Sequence, residues 1–181
     1  MKKLFAILAL AVTSSAFAAN FVQIEQENVQ SRNGGAGSDV TYIRAGKDIG
    51  NYSLGLQSRT AKFDNAGGIA NSLEATVANK QISILGITPF VGMGHDFGGT
   101  AAGYNYGLVG ATAGAKVGPG FALAGVKTRV WSSEANRTKQ TVTFVSYAVP
   151  VAKDVSVNLG LSHSAQDIKE KGVSVGLSFA F

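Results

Sequence analysis

The sequence predicts an all-β fold, a closed antiparallel up-and-down transmembrane β-barrel of ten strands. Apolar side chains alternate with small or polar ones over segments of about 10 residues, the length that a tilted membrane strand needs. Turn-rich clusters separate these segments at a regular spacing. Hydrophobic residues make up 45% of the chain, yet beyond residue 18 they are dispersed rather than gathered into runs long enough for a spanning helix.

Residues 1–18 are predicted to be a cleaved secretory signal peptide. Two lysines precede an apolar run from Leu4 to Val12, and Ala16-Phe17-Ala18 supplies a small-x-small cleavage site. The apolar run is too short for a membrane anchor, because a helix needs about 20 residues to cross the bilayer core. The mature domain is therefore predicted to span residues 19–181. An exported apolar chain without a spanning helix is either a periplasmic β-sandwich or a membrane barrel.

Five clusters of turn-forming residues recur about every 33 residues, which is the rhythm of successive β-hairpins. They are Ser31 to Asp39, Asp64 to Asn71, Gly98 to Gly103, Ser132 to Arg137 and Gln166 to Lys171. Shorter turns fall between them at 47–51, 117–120 and 150–154, and a fourth lies in the ambiguous region 79–90. Longer loops on one side and short turns on the other are typical of bacterial barrels.

Five hairpins predict ten strands. Eight strands is the alternative, if one hairpin merges with its neighbours in the ambiguous region. The predicted strands span residues 20–30, 40–47, 52–62, 72–81, 88–96, 104–116, 121–131, 139–149, 155–165 and 172–181.

Most aromatic residues fall near the strand ends, which predicts one aromatic belt at each membrane interface. The belt at the long-loop end comprises Tyr42, Phe63, Phe97, Tyr104, Tyr106 and Trp131. The belt at the short-turn end comprises Phe21, Tyr52, Phe90, Phe121, Tyr147, Phe179 and Phe181. Only Phe144 lies clearly in the middle of a strand.

The last predicted strand has one apolar face and one face of glycine, serine and alanine. The apolar face consists of Val173, Val175, Leu177, Phe179 and Phe181. This segment resembles the closing strand of Gram-negative outer-membrane β-barrels, where it is the signal that the barrel-assembly machinery reads. Across residues 19–181 the chain is similar to small OmpA/OmpX-type and porin-like barrels.

The resemblance implies a location in the outer membrane of a Gram-negative bacterium. It also implies contact with outer-membrane lipid and lipopolysaccharide, assembly by the barrel-assembly machinery, and a monomeric state. A nucleic-acid partner is not expected, because the 16 Lys and Arg residues are scattered rather than gathered into a basic stripe.

The charged rows of the strands are predicted to face the barrel interior, because a Lys or Arg on the lipid face at mid-bilayer costs about 2–4 kcal/mol. The predicted polar lining comprises Glu25, Glu27, Arg44, Arg59, Glu74, Asp96, Lys127 and Arg129. Several glycines are expected on the same face, where they would leave space: Gly55, Gly92, Gly94, Gly160 and Gly176. Two interpretations stay open, a hydrogen-bonded network that fills the barrel and a narrow polar pore.

No catalytic, cofactor-binding or metal site is predicted. His95 precedes Asp96, but adjacent strand residues face opposite sides of the sheet. Outer-membrane lipid A deacylases carry a His and a Ser two positions apart on one strand face. His163 has apolar residues at both of those positions, so the catalytic pair of that family has no counterpart here. The expected role of His163 is that of an amphipathic ring at headgroup depth.

The sequence thus predicts a structural membrane element or a narrow porin-like channel for small solutes. A surface adhesin or receptor ranks lower, because the predicted loops are short and glycine-rich. A lipid A-modifying enzyme ranks last, and the chain is expected not to be an enzyme.

Overall fold

A computed structural model describes residues 20–31, 37–64, 68–98, 103–133, 140–166 and 170–181. The predicted signal peptide, residues 1–18, lies outside the described residues, as do parts of all five turn-rich clusters.

Ten β-strands form the architecture, joined on one side by short turns and on the other by the turn-rich clusters. The strands are β1 (Asn20–Ser31), β2 (Ser38–Ile49), β3 (Tyr52–Phe63), β4 (Ile69–Asn79), β5 (Ile87–Asp96), β6 (Tyr104–Val117), β7 (Gly120–Ser132), β8 (Gln140–Ala152), β9 (Val155–Gln166) and β10 (Glu170–Ala180). A 3-10 helix, Lys80–Ile82, follows β4. Within the described ranges, no helix has the length and apolar character needed to cross a membrane.

The sheet closes on itself. Each strand pairs antiparallel with its neighbours in sequence, and β1 also pairs with β10, so that Phe21 lies opposite Ala180 and Ser31 opposite Glu170. The prediction of a closed ten-stranded antiparallel barrel is confirmed, and the eight-stranded alternative is wrong.

The ambiguous region after β4 is a long turn rather than a hidden strand. The side chain of Asn79 accepts a hydrogen bond from the backbone N–H of Gln81 at 3.0 Å, which begins the 3-10 helix. Ile84 and Ile87 then form an isolated antiparallel bridge. Regular alternation of side chains resumes only in β5, after this bridge, so no clear strand boundary is visible in the sequence here.

Strand alternation places apolar side chains on the outside of the barrel and small or polar ones inside. In β9, Leu159 and Leu161 are exposed on the outer surface, whereas Asn158 and Gly160 are buried inside. The same pattern runs around the whole circumference. We call the exposed outward residues the apolar belt: Ile24, Ile43, Leu54, Leu56, Leu73, Val91, Met93, Val109, Val126, Val145, Leu159, Leu161, Val175 and Leu177.

The aromatic residues do not form the two predicted belts as a whole, because many of them face inward. Those exposed on the outside are Phe97 and Trp131 at the long-loop end, and Tyr52, Phe179 and Phe181 at the short-turn end. Buried inside are Phe21, Tyr42, Phe90, Tyr104, Tyr106, Phe121 and Phe144. Distance from the strand end fixes the height of a ring along the barrel axis, but strand parity decides which face it occupies. The belt assignment was therefore wrong for the inward rings.

Trp131 shows how an irregularity changes this parity. The register between β6 and β7 shifts at Gly107 and Leu108, whose partners are Trp131 and Arg129. The intervening Val130 is the extra residue of a β-bulge, so Arg129 faces inward while Trp131 lies outside.

Several inward-facing glycines receive the inward rings of neighbouring strands rather than leaving open space. A Cβ built on Gly94 would lie 2.3 Å from the ring of Tyr106, and one on Gly110 would lie 2.3 Å from that of Phe90. Both pairs are direct cross-strand neighbours in β5 and β6. The expectation that Gly94 leaves space is therefore wrong, because an aromatic ring packs over its bare backbone. The other such pairs are Gly46 with Phe21, Gly114 with Phe121 and Gly125 with Phe144.

Candidate functional site

The eight residues predicted to line the lumen all occupy inward strand positions. Five are buried, namely Glu25, Glu27, Arg44, Glu74 and Lys127. The remaining three are half-buried: Arg59, Asp96 and Arg129. The structure connects these residues through tyrosines and glutamines into what we call the lumen network.

Glu74 is the centre of the lumen network. Its Oε2 accepts hydrogen bonds from Lys127 Nζ at 2.5 Å and from Gln57 Nε2 at 3.2 Å. Its Oε1 accepts one from the Tyr106 hydroxyl at 2.8 Å. Glu74 lies on β4 and Lys127 on β7, three strands apart in the ring. The ion pair therefore ties together two separated parts of the barrel wall through the lumen.

Arg44 extends the network toward β1. Its guanidinium donates to Glu25 Oε2 at 2.6 Å and to Gln57 Oε1 at 2.9 Å. Gln23 Nε2 donates to the same carboxylate oxygen at 2.5 Å. Because the Gln57 side chain also donates to Glu74, a continuous chain of polar contacts runs from β1 to β7.

Arg129 organises a second part of the lumen, toward the long-loop end. Its guanidinium donates to the Tyr104 hydroxyl at 2.9 Å and lies 4.0 Å from the ring centre of Tyr106. The Tyr104 hydroxyl in turn donates to Asp96 Oδ2 at 3.3 Å. Asp96 Oδ1 accepts the backbone N–H of Gly98 at 2.9 Å, which holds the carboxylate in place at the end of β5.

Glu27 and Arg59 meet through Tyr42. The Tyr42 hydroxyl hydrogen-bonds to both side chains, so it bridges the carboxylate on β1 and the guanidinium on β3. Ser162 on β9 donates to Glu27 Oε1 at 3.3 Å. The lumen network thus reaches most of the circumference, because its members come from β1 to β7 and from β9.

Sequence reasoning missed the tyrosines and glutamines that connect the charged groups. From the sequence, Tyr42 and Tyr106 are predicted to lie in an interfacial belt, and Gln57 is not singled out. The missing signal was parity: Tyr42 stands two positions before Arg44, so both must share one face of β2.

A cavity of about 520 Å³ opens at the short-turn end of the barrel, and its lining includes none of the eight charged residues of the lumen network. Its walls combine aromatic, proline and serine side chains with small apolar residues, and they include Lys116 and Asp154. Among its lining residues are Phe21, Phe121, Pro150, Ser156 and Ser178. The cavity is a vestibule below the lumen network.

Both histidines face outward. His95 Nδ1 lies 2.8 Å from Asn105 Oδ1, and its ring contacts Phe97 edge-on with ring centres 4.7 Å apart. His95 and Asp96 lie on opposite faces of β5, because Asp96 joins Tyr104 in the lumen. His163 is half-buried on the outer face of β9. Within the described ranges, no three His, Asp or Glu side chains converge in a way that could hold a metal ion.

Comparisons with known proteins find no matching family model and no matching curated protein sequence. Solved structures do resemble the chain. Neisserial surface protein A is 12% identical, with a TM-score of 0.47, and the match covers 92% of this chain and 100% of that one. The translocator domain of the autotransporter NalP from Neisseria meningitidis is 12% identical (TM-score 0.48, covering 94% and 92%). The KdgM porin is 10% identical (TM-score 0.47, covering 88% and 99%). The chain itself is a small closed ten-stranded antiparallel β-barrel.

Proposed function

We propose that the chain is an outer-membrane β-barrel protein with a sealed lumen, which serves as a structural element of the membrane rather than as an open pore or an enzyme. The observation that carries the proposal is the Glu74–Lys127 ion pair, 2.5 Å long, which joins β4 to β7 inside the barrel.

The distribution of polarity supports the membrane location. Arg44 and Glu25 are 1% and 2% exposed inside the barrel, whereas Met93 is 70% exposed on its outer surface. In water this arrangement would carry two free-energy costs, because charged side chains are buried and the apolar belt is exposed to solvent. In a bilayer the belt faces hydrocarbon, and the closed sheet leaves no backbone polar group unsatisfied at an edge. The predicted signal peptide and closing strand favour the outer membrane of a Gram-negative bacterium.

The contacts within the lumen support a sealed barrel. An aqueous pore requires polar side chains that leave a water-filled path along the axis. Here the side chains of Lys127, Tyr106 and Gln57 all donate to the Glu74 carboxylate instead, at distances between 2.5 and 3.2 Å. A barrel of this size has an interior that side chains can nearly fill.

Planar-bilayer recording tests the sealed lumen. The wild-type protein is expected to give no stable conductance steps, because the Glu74–Lys127 pair and its partners occupy the lumen. The double variant Glu74→Ser/Lys127→Ser removes both ends of the bridge without leaving a lone charge, and it is expected to produce small steps.

Membrane insertion is checked separately, so that an absence of conductance steps reports a sealed lumen and not a failure to insert. Co-flotation with liposomes and a folded band of altered mobility on unheated gels must be the same for both proteins. Stable steps from inserted wild-type protein, with an amplitude that rises with salt concentration, would support the narrow channel and overturn the sealed barrel.

A further inference from the structure

The turn between β4 and β5 carries an apolar tip that projects from the short-turn end. Residues 80–86 are all exposed, and the turn is longer than the connections after β2, β6 and β8. Ile84 and Ile87 exchange two backbone hydrogen bonds of 2.9 Å, which puts Leu85 and Gly86 at the apex. Leu85 is 97% exposed, more than any other large hydrophobic residue in the described ranges.

The backbone at the apex is unusual for a leucine. Leu85 has φ +52° and Gly86 has φ +79°, the left-handed region in which glycine, asparagine and aspartate are favoured. The corresponding positions of the other short turns follow that preference, with Gly50, Gly118 and Asp154. An apolar side chain is therefore held where the backbone disfavours it and where water would surround it.

The tip belongs to a larger apolar surface, which we call the turn patch: Ile49, Tyr52, Ile82, Ile84, Leu85 and Ile87, all about half exposed or more. Two contacts made by Lys80 hold the start of this turn against the turn between β2 and β3. Lys80 N–H donates to the Asn51 carbonyl at 2.8 Å, and Lys80 Nζ forms an ion pair with Asp48 at 2.8 Å. The patch is thus a positioned surface of the barrel.

The turn patch is continuous with the apolar belt. Ile87 begins the outward row of β5 that continues through Val91 and Met93, and Tyr52 begins the outward row of β3 that continues through Leu54 and Leu56. A surface that extends the lipid-facing belt without a polar break has the chemistry of the membrane interface.

We propose that the turn patch inserts into the lipid leaflet at the short-turn end, with Leu85 at the boundary between the headgroups and the acyl chains. This inference rests on the proposed membrane location, and it adds that one turn of the barrel dips into the lipid while the others stay in water. The insertion anchors the barrel on the side of β2 to β5 and fixes how deep that side lies.

Site-specific fluorescence tests the insertion, since the chain contains no cysteine. Three single variants are labelled with an environment-sensitive fluorophore: Leu85→Cys in the tip, Leu159→Cys in the apolar belt and Lys153→Cys in the turn after β8. Each is reconstituted in phosphatidylethanolamine–phosphatidylglycerol liposomes with lipids brominated at known depths, after folding has been checked by gel mobility.

The label at 85 is expected to be quenched most by lipids that carry bromine close to the headgroups. The label at 159 is expected to be quenched most by lipids that carry bromine deeper in the acyl chains. Aqueous iodide is expected to quench the label at 153, where Lys153 is 93% exposed, on the order of fivefold more strongly than the label at 85. Replacement of Leu85 by Asn, which tolerates the left-handed backbone, should expose a label placed at Ile82→Cys to iodide.

The outcomes separate the two proposals. If the label at 159 lies in lipid but iodide reaches 85 as easily as 153, the insertion of the tip is wrong and the membrane location stands. If iodide also reaches 159, the membrane location itself fails. Protection of 85 in native outer-membrane vesicles but not in pure liposomes would show that a protein covers the turn patch, and would overturn the lipid as its occupant.

Discussion

Replacing Glu74 by Gln is expected to lower the free energy of unfolding by about 3–5 kcal/mol, because it leaves the Lys127 ammonium buried without its counter-charge. Both side chains are below 10% exposed, and the Nζ–Oε2 distance is 2.5 Å. Urea titration of the folded barrel in phospholipid vesicles would measure the loss. The only tryptophan, Trp131, reports unfolding because it leaves the outer surface of the barrel.

A double-mutant cycle tests whether the loss comes from the pair. The variant Glu74→Gln/Lys127→Met removes both charges and should recover most of the stability. Gln can still accept the hydrogen bond from the Tyr106 hydroxyl, and Met occupies the space of the aliphatic part of Lys127. The exposed ion pair Lys80–Asp48 supplies the control, and Lys80→Ala should cost less than about 1 kcal/mol. A Glu74→Gln effect as small as that control would contradict a central role for the pair.

Replacing Gly94 by Ala is expected to destabilise the barrel by about 3 kcal/mol. The three atoms nearest to the added Cβ all belong to Tyr106, at 2.3, 2.5 and 2.6 Å. Tyr106 is 0% exposed, so its ring has no free space to enter. Overpacking typically costs about 1–3 kcal/mol, and the hydrogen bond from Tyr106 to the Glu74 carboxylate would be strained as well.

Gly107 provides the matched control for Gly94, because it lies on the outer face of β6 opposite Met93. A Cβ there would meet its nearest atoms at 3.7 and 3.9 Å, which is ordinary packing, so Gly107→Ala should be neutral or slightly stabilising. In a Tyr106→Leu background the penalty of Gly94→Ala should fall below about 1 kcal/mol. If Gly94→Ala still costs about 3 kcal/mol in that background, the glycine is required by the backbone and not by the Tyr106 ring.

The fold could be predicted from the sequence because alternation and turn residues are local signals. The strand predicted at 104–116 is observed at Tyr104–Val117, and the strand predicted at 52–62 is observed at Tyr52–Phe63. The turn within the region 79–90 could not be located from the sequence because the turn itself is apolar. Ile84, Leu85 and Ile87 are residue types typical of strands, although Leu85 lies at a hairpin apex.

The candidate site could be predicted only in part. Parity alone places Glu74 and Lys127 inside, but it cannot pair them, because their strands are not neighbours. Which side chains meet through a lumen depends on strand tilt and stagger around the ring, and these are properties of the closed barrel. Trp131 lies outside although it stands two positions after the inward Arg129, because a bulge between β6 and β7 reverses the alternation there.

The pairing of β1 with β10 also has a consequence for the order of folding. Phe21 on β1 and Ala180 on β10 become partners although eight strands lie between them in sequence, so the ring closes only when all ten strands are available. Until then β1 and β10 each present an open edge of unsatisfied backbone groups, which hydrocarbon does not tolerate. We therefore expect seam formation to be the late, slow event of biogenesis, and the one at which a catalyst would accelerate insertion most.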